Sequence, residues 1–129
     1  MLKPYLFLAE TDDKGRAVFT NKNIPPDTVI EISPVIVMTN DDRKLIDQTL
    51  LHDYIFEWGE NHDQCCMGLG LLPMYNHSYT SNCEYFMDFE ARMMFVKTVA
   101  KVKSGEELTI NYNGDWNNPE KVWFDKKQE

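Results

Sequence analysis

The chain of 129 residues is poor in cysteine, with only Cys65, Cys66 and Cys83, two of them adjacent. Adjacent cysteines rarely form a disulfide with each other, and an odd number argues against a disulfide framework. A structural zinc site needs four ligands at characteristic spacings, which this set does not offer. We therefore expect reduced, partly buried thiols and no metal site.

Long hydrophobic runs are also missing. No stretch approaches the roughly 18 apolar residues that a transmembrane helix requires, and the apolar stretch at residues 5–9 is too short for a secretory signal. The sequence therefore predicts no membrane span and a cytoplasmic or nuclear location. Its length suits one domain over residues 1–129. The hydrophobic fraction of 43% is enough to build a core.

Basic residues are few, because 13 Lys and Arg stand against 21 Asp and Glu, for a net charge of -8. Such a surface repels nucleic-acid phosphates, so no direct nucleic-acid binding is expected. It attracts basic partners instead, and a lysine-rich protein segment would suit it. An acidic surface also serves solubility alone, and the composition leaves both explanations open.

Short β-prone runs separated by turn residues fill most of the chain. Residues 29–38 are rich in Val and Ile, residues 54–58 form a second run, and residues 84–89 and 93–99 flank a short loop as in a hairpin. The pattern predicts a mainly β fold with short helices.

Helix signals are sparse. Thr39 and Asp42 have the spacing of a capping box and predict a short inserted helical region at about 40–52. A second short helix is predicted to begin at Pro119, within an aromatic tail at about 113–129. Gly68 and Gly70 lack the context of a phosphate-binding loop, and they indicate instead a close approach between chain segments.

Three segments in order carry the strongest signal: Lys-Gly-Arg-Ala-Val-Phe at 14–19, Asn-His-Ser-Tyr-Thr-Ser-Asn-Cys at 76–83, and Gly-Glu-Glu-Leu-Thr-Ile-Asn-Tyr at 105–112. They resemble the KGRGVF, NHSCxPN and GEELTxDY segments of SET-domain protein lysine methyltransferases. The resemblance implies a minimal, stand-alone SET domain: several small β-sheets, with a knot-like crossing where the two C-terminal signature segments pack together. It implies no zinc cluster after Tyr112, because no cysteine follows that residue.

The activity implied by this resemblance is methyl transfer from S-adenosylmethionine to the side-chain amine of lysine in a basic protein. The enzyme would act as a monomer or a homodimer, and the substrate could be a histone, a ribosomal protein or another basic protein. A catalytically weak or inactive SET-like module that binds a protein tail is the alternative. A small β protein unrelated to the family is a third reading, which requires the two signature segments to lie far apart in space.

The resemblance also assigns roles to individual residues. The proposed catalytic residues are Tyr112 and Tyr54. The proposed cofactor-binding residues are Gly15, Arg16, Ala17, Tyr75, Asn76, His77 and Trp116. The proposed substrate channel comprises Tyr54, Phe56, Ile110 and Tyr112. Aromatic faces and oxygen acceptors suit a cationic reacting centre and need no metal. The sequence departs from the family pattern at Ala17, Tyr79, Ser81 and Asn111.

Overall fold

The computed structural model describes residues 1–112 and Pro119, and this part of the chain is mainly β. The strands are β1 (Leu6–Glu10), β2 (Arg16–Thr20), β3 (Val29–Met38), β4 (Ile55–Trp58), β5 (Gln64–Gly68), β6 (Asn76–His77), β7 (Cys83–Asp88), β8 (Met93–Thr98) and β9 (Glu107–Ile110). The helical elements are α1 (Asn40–Ile46) and two short 3₁₀ helices, Leu50–Asp53 and Leu72–Met74. The predicted fold class is confirmed.

Two small sheets organise these strands. One has the order β1-β2-β9-β6 and the other has the order β4-β5-β3-β8-β7. In the first sheet, β6 runs parallel to β9, whereas the neighbouring pairs of strands are antiparallel. In the second sheet, all the pairs are antiparallel. The predicted 84–99 hairpin is confirmed, since β7 and β8 pair with Phe86 opposite Phe95.

The short helix α1 begins where its capping signal predicts. The Thr39 side chain accepts a hydrogen bond from the backbone N–H of Asp42, and the Asp42 carboxylate accepts one from the backbone N–H of Thr39. This reciprocal pairing satisfies backbone groups that the first helical turn would otherwise leave unpaired. The predicted helical region at 40–52 is thus α1 followed by the first 3₁₀ helix.

The core lies between the sheets and is filled by alternate residues of the strands. On β8, Met94, Val96 and Thr98 are buried, while the residues between them are partly exposed. The three cysteines are free and buried, as expected. Burial raises the pKa of the Cys66 and Cys83 thiols to about 12, so both thiols stay protonated at neutral pH. Within the described part of the chain, neither α1 nor a 3₁₀ helix has the length and hydrophobicity to span a membrane.

Candidate active site

The two C-terminal signature segments are neighbours in space. Asn76 of β6 lies opposite Thr109 of β9, and His77 lies opposite Ile110, in a short parallel pairing. Parallel strands need a long connection, and here the connection contains β7 and β8. The reading that required these segments to lie far apart, a small β protein unrelated to the family, is therefore wrong.

The Asn82 side chain joins the same two segments through hydrogen bonds to the backbone. Its side-chain oxygen accepts a hydrogen bond of 2.9 Å from the Thr109 N–H, and its side-chain nitrogen donates one of 2.9 Å to the Glu107 carbonyl. An amide side chain can satisfy a backbone donor and a backbone acceptor at once, as a neighbouring strand would. Asn82 thus extends the sheet-like pairing beyond β6.

A cavity of about 760 Å³ opens where these segments meet the turn between β1 and β2. Its volume lies within the usual range of small-molecule and cofactor sites. The residues that line it come from four separate stretches of the chain: Lys14, Gly15 and Arg16; Asp53 and Tyr54; Pro73, Met74, Asn76, His77, Ser78, Tyr79 and Thr80; and Tyr112 from the last signature. The structure therefore brings together predicted site residues from all three motifs.

Gly15 and Arg16 reach the cavity on a tight turn between β1 and β2. Gly15 has a φ of +74°, a left-handed conformation that glycine adopts without steric cost. The turn is closed by Thr11, whose backbone N–H and hydroxyl both donate to the Gly15 carbonyl at 2.8 Å. The glycine of the Lys-Gly-Arg motif is thus required by backbone geometry at the cavity edge.

Tyr112 lies in the cavity wall, where its side chain and its backbone each form a hydrogen bond. Its hydroxyl donates a hydrogen bond of 2.8 Å to the Tyr75 carbonyl, and its backbone N–H donates one of 3.0 Å to Nδ1 of His77. Burial, followed by the nearby Tyr54, Asp53 and Glu107, raises the pKa of Tyr112 to about 12. The phenol is therefore neutral at physiological pH, with its proton directed to a backbone carbonyl.

Asn76 and His77 line the cavity beside Tyr112. The Asn76 side chain donates a hydrogen bond of 3.1 Å to the Glu107 carboxylate of the other signature segment. The His77 ring lies edge-on to the Tyr79 ring at 4.3 Å and at 5.2 Å from the Tyr112 ring. These contacts build a partly aromatic wall, which suits a cationic group.

Several predicted site residues do not reach this cavity. The Tyr75 side chain is 1% exposed and packs in the core, and Tyr75 does not line the cavity, so its role in cofactor binding stays a prediction. Ala17 is fully buried on β2 and also does not line the cavity. Ile110 is 1% exposed, because the alternation of β9 places it on the core side with Leu108. Phe56 packs against Tyr85 with ring centroids 5.5 Å apart, away from the cavity lining.

Other lining residues were not predicted as site residues. Tyr79 had been singled out only as a departure from the family pattern, yet its ring packs on His77. Asp53 and Lys14 were missed, although each immediately neighbours a predicted residue, and that adjacency is the signal that could have found them. Trp116 lies outside the described residues, as do the rest of the predicted tail at 113–129 and the helix predicted to begin at Pro119, except for Pro119 itself.

The donor set of the cavity fits S-adenosylmethionine. The ligand has an anionic carboxylate, a cationic sulfonium and a flat adenine. Lys14 and Arg16 would supply positive charge for the carboxylate, whereas Tyr54, Tyr79 and Tyr112 would supply aromatic faces. Asn76 and the exposed backbone of the Gly15 turn can form the hydrogen bonds that orient a cofactor.

We expect Asn76→Ala to weaken S-adenosylmethionine binding about tenfold or more, measured by calorimetry. Removing the amide would leave the cofactor atoms that it is expected to bind without a partner in a partly buried site, at about 1–3 kcal/mol. Asn82→Ala is the matched control, because this amide also joins the two segments but does not line the cavity. Equal affinity losses in both variants would argue against a direct role for Asn76.

Comparisons with known proteins agree with this geometry. The family model of the SET domain matches residues 15–113. A histone-lysine N-methyltransferase of Schizosaccharomyces pombe, specific for lysine 37 of histone H3, is 32% identical over 126 residues, which cover 97% of this chain and 80% of that protein. A crystal structure of a candidate histone methyltransferase of Plasmodium falciparum superposes with a TM-score of 0.68 at 24% identity, covering 92% of this chain and 100% of that chain.

Proposed function

This chain belongs to the SET domain family, and we propose that it is a protein-lysine methyltransferase that uses S-adenosylmethionine. The single observation that carries the proposal is the placement of Tyr112 in a cavity together with Asn76, His77 and the Gly15 turn. These residues come from all three motif segments and converge only through the fold.

The proposed chemistry is an in-line displacement in which the neutral lysine nitrogen would bond to the methyl carbon as the carbon–sulfur bond breaks. S-adenosylhomocysteine would leave as a neutral thioether, and the methylated ammonium would release a proton to water. Bound S-adenosylmethionine would supply an electrophilic methyl group on a positively charged sulfur. The chain's own contribution is alignment and exclusion of water, which account for much of the rate in such reactions. Gly15, Arg16, Asn76 and His77 would hold the cofactor, while Tyr54 and Tyr112 would border the reacting centre.

Tyr112 is suited to act as a hydrogen-bond acceptor at that centre. Its hydroxyl donates a hydrogen bond to the Tyr75 carbonyl, so the oxygen presents acceptor lone pairs, and not its proton, toward the cavity. A methyl group on sulfonium and an amine that gains charge both present polarised hydrogens to such an acceptor. The neutral phenol therefore stabilises positive charge without accepting a proton.

The proposed substrate is a basic, lysine-containing protein. The net charge of -8 favours approach of a positively charged tail. The relative from Schizosaccharomyces pombe acts on histone H3, so histone tails are the first substrates to test. We propose a cytoplasmic or nuclear protein that acts as a monomer or homodimer and does not bind nucleic acid directly.

The test has two stages that separate an enzyme from a binding module. Calorimetry first measures S-adenosylmethionine binding to the purified protein, and a labelled-methyl assay then uses core histones, ribosomal proteins and basic peptides as acceptors. Labelled lysine in at least one acceptor supports the enzyme. Binding of a basic peptide without any transfer of label would favour the alternative, a catalytically weak or inactive SET-like interaction module.

The pH dependence of turnover follows from two pKa values. Only the neutral amine of lysine reacts, and its ordinary pKa is about 10.4, so kcat/KM should rise with pH through the neutral range. Because the pKa of Tyr112 is raised to about 12, the phenol does not ionise in this window and should cause no decline. Rates on a peptide substrate between about pH 6.5 and 9.5 test this; a decline above pH 8 in protein that remains folded would contradict it.

A further inference from the structure

A buried carboxylate that the proposed chemistry does not touch lies behind the cavity wall. Glu31 is 0% exposed and points into the core from β3, as do Ser33 and Val35. Removing a carboxylate from water is strongly unfavourable unless other groups replace the lost hydrogen bonds. Among the described residues, Glu31 forms no ion pair with a cationic side chain. Hydrogen-bond donors must therefore stabilise it.

Three donors surround this carboxylate. The Ser33 hydroxyl lies 2.7 Å from Oε2, the Leu71 backbone N–H lies 2.8 Å from the same oxygen, and the Tyr75 hydroxyl lies 2.8 Å from Oε1. The chain passes over the carboxylate at Gly70, where a Cβ would overlap Oε2 of Glu31. The stretch from Gly70 to Tyr75 is thus shaped around Glu31.

Tyr75 connects this carboxylate to the reacting centre. Its ring is 1% exposed and its hydroxyl is bound by Glu31, while its backbone carbonyl accepts the Tyr112 hydroxyl at 2.8 Å. The residues on either side of it, Met74 and Asn76, both line the cavity. A shift of Tyr75 would therefore move the carbonyl that receives the phenol proton of Tyr112.

The direction of that proton matters for the chemistry. A phenol whose O–H points to a carbonyl presents lone pairs to the cavity, whereas a phenol free to rotate presents its proton there part of the time. A cationic methyl or amine is stabilised only by the first arrangement. Pre-set orientation of such a group acts on the transition state and leaves the binding of the cofactor largely unchanged.

We propose that Glu31 is a positioning residue for methyl transfer. Through its bond to Tyr75 it fixes the carbonyl that accepts the proton of Tyr112, and so it keeps the acceptor lone pairs of Tyr112 directed into the cavity. The expected effect on turnover rests on the proposed function. The expected effect on the distance between the Tyr112 hydroxyl and the Tyr75 carbonyl does not.

The test compares Glu31→Gln and Tyr75→Phe with Ser33→Ala as the matched control. Glu31→Gln keeps the shape but weakens acceptance from Tyr75, and Tyr75→Phe removes the same bond from the other side. Both variants should lose roughly tenfold or more in kcat, with S-adenosylmethionine affinity nearly unchanged. Ser33→Ala removes a different bond to Glu31 and should keep kcat within about threefold of the wild type. The double variant Glu31→Gln/Tyr75→Phe should be no slower than the slower single variant.

A purely structural role for Glu31 predicts a different pattern. Activity would then fall only in proportion to the unfolded fraction, and Ser33→Ala would lose as much as Tyr75→Phe. That pattern would overturn the proposal. If Glu31→Gln fails to fold, Tyr75→Phe against Ser33→Ala still decides.

A crystal structure of Tyr75→Phe supplies a readout that requires no turnover. The distance from the Tyr112 hydroxyl to the carbonyl of residue 75 should lengthen beyond hydrogen-bonding range from its present 2.8 Å. An unchanged contact overturns the positioning role, whatever the activity. The two ideas can fail separately. If the contact lengthens in Tyr75→Phe but the wild-type protein transfers no methyl group, the positioning of Tyr112 by Tyr75 is supported and the proposed function is refuted.

Discussion

Tyr112→Phe should reduce kcat by roughly 10- to 150-fold while leaving S-adenosylmethionine affinity nearly unchanged. The substitution removes one hydroxyl that accepts from a group gaining positive charge, and such a hydrogen bond is worth about 1.5–3 kcal/mol. The contact strengthens as the methyl group moves, so its loss should appear in kcat. Steady-state kinetics on the best acceptor, together with calorimetry of cofactor binding, measure the two quantities separately.

Tyr85→Phe is the control for that experiment. The Tyr85 hydroxyl lies 3.4 Å from the Tyr112 backbone carbonyl, and Tyr85 does not line the cavity. This variant therefore loses a phenol hydroxyl next to the same residue without removing one from the reacting centre. If Tyr112→Phe turned over as fast as Tyr85→Phe, the role assigned to Tyr112 would be wrong.

Local sequence signals predicted the local structure well. The capping spacing of Thr39 and Asp42 fixed the start of α1, because both halves of that pairing lie within four residues. The two β-prone runs on either side of the short loop at residues 90–92 predicted the β7–β8 hairpin for the same reason. In both cases the interacting groups are close in sequence, so the pattern carries the information.

The pairing of β6 with β9 could not be derived in this way. It joins residues more than thirty positions apart through only two residue pairs, and periodicity does not encode such a contact. The resemblance of the two signature segments to a known family predicted their proximity, and the structure confirms it. Asn82 contributes hydrogen bonds to this junction that neither the pattern nor the resemblance had singled out.

Two of the predicted site residues lie outside the cavity lining for the same physical reason. Tyr75 and Ile110 were placed by their position within a motif, whereas the structure places them by the side of the backbone on which they lie. Tyr75 is next to Asn76 in sequence but points the opposite way, because successive side chains of an extended segment alternate. The buried Glu31 carboxylate accepts a hydrogen bond from the Tyr75 hydroxyl and so stabilises the Tyr75 side chain in the core.

Gly70→Ala should lower the free energy of unfolding by roughly 2–5 kcal/mol. Gly70 has a φ of +60°, which costs alanine free energy, and a Cβ there would overlap the Glu31 carboxylate and lie 2.5 Å from the Ser33 hydroxyl. Neither neighbour can yield easily, since Glu31 is held by three hydrogen bonds in the core. Urea or thermal unfolding followed by circular dichroism measures the loss.

Gly105→Ala separates the two contributions to that loss. Gly105 also has a positive φ, of +91°, but a Cβ there meets nothing within 4 Å. Its substitution therefore carries only the backbone cost, about 1–2 kcal/mol. The excess loss in Gly70→Ala over Gly105→Ala reports how rigidly the chain is packed on Glu31. Equal losses in the two variants would mean that the carboxylate moves aside freely, and such a mobile group could not hold Tyr75 in place behind the active-site wall.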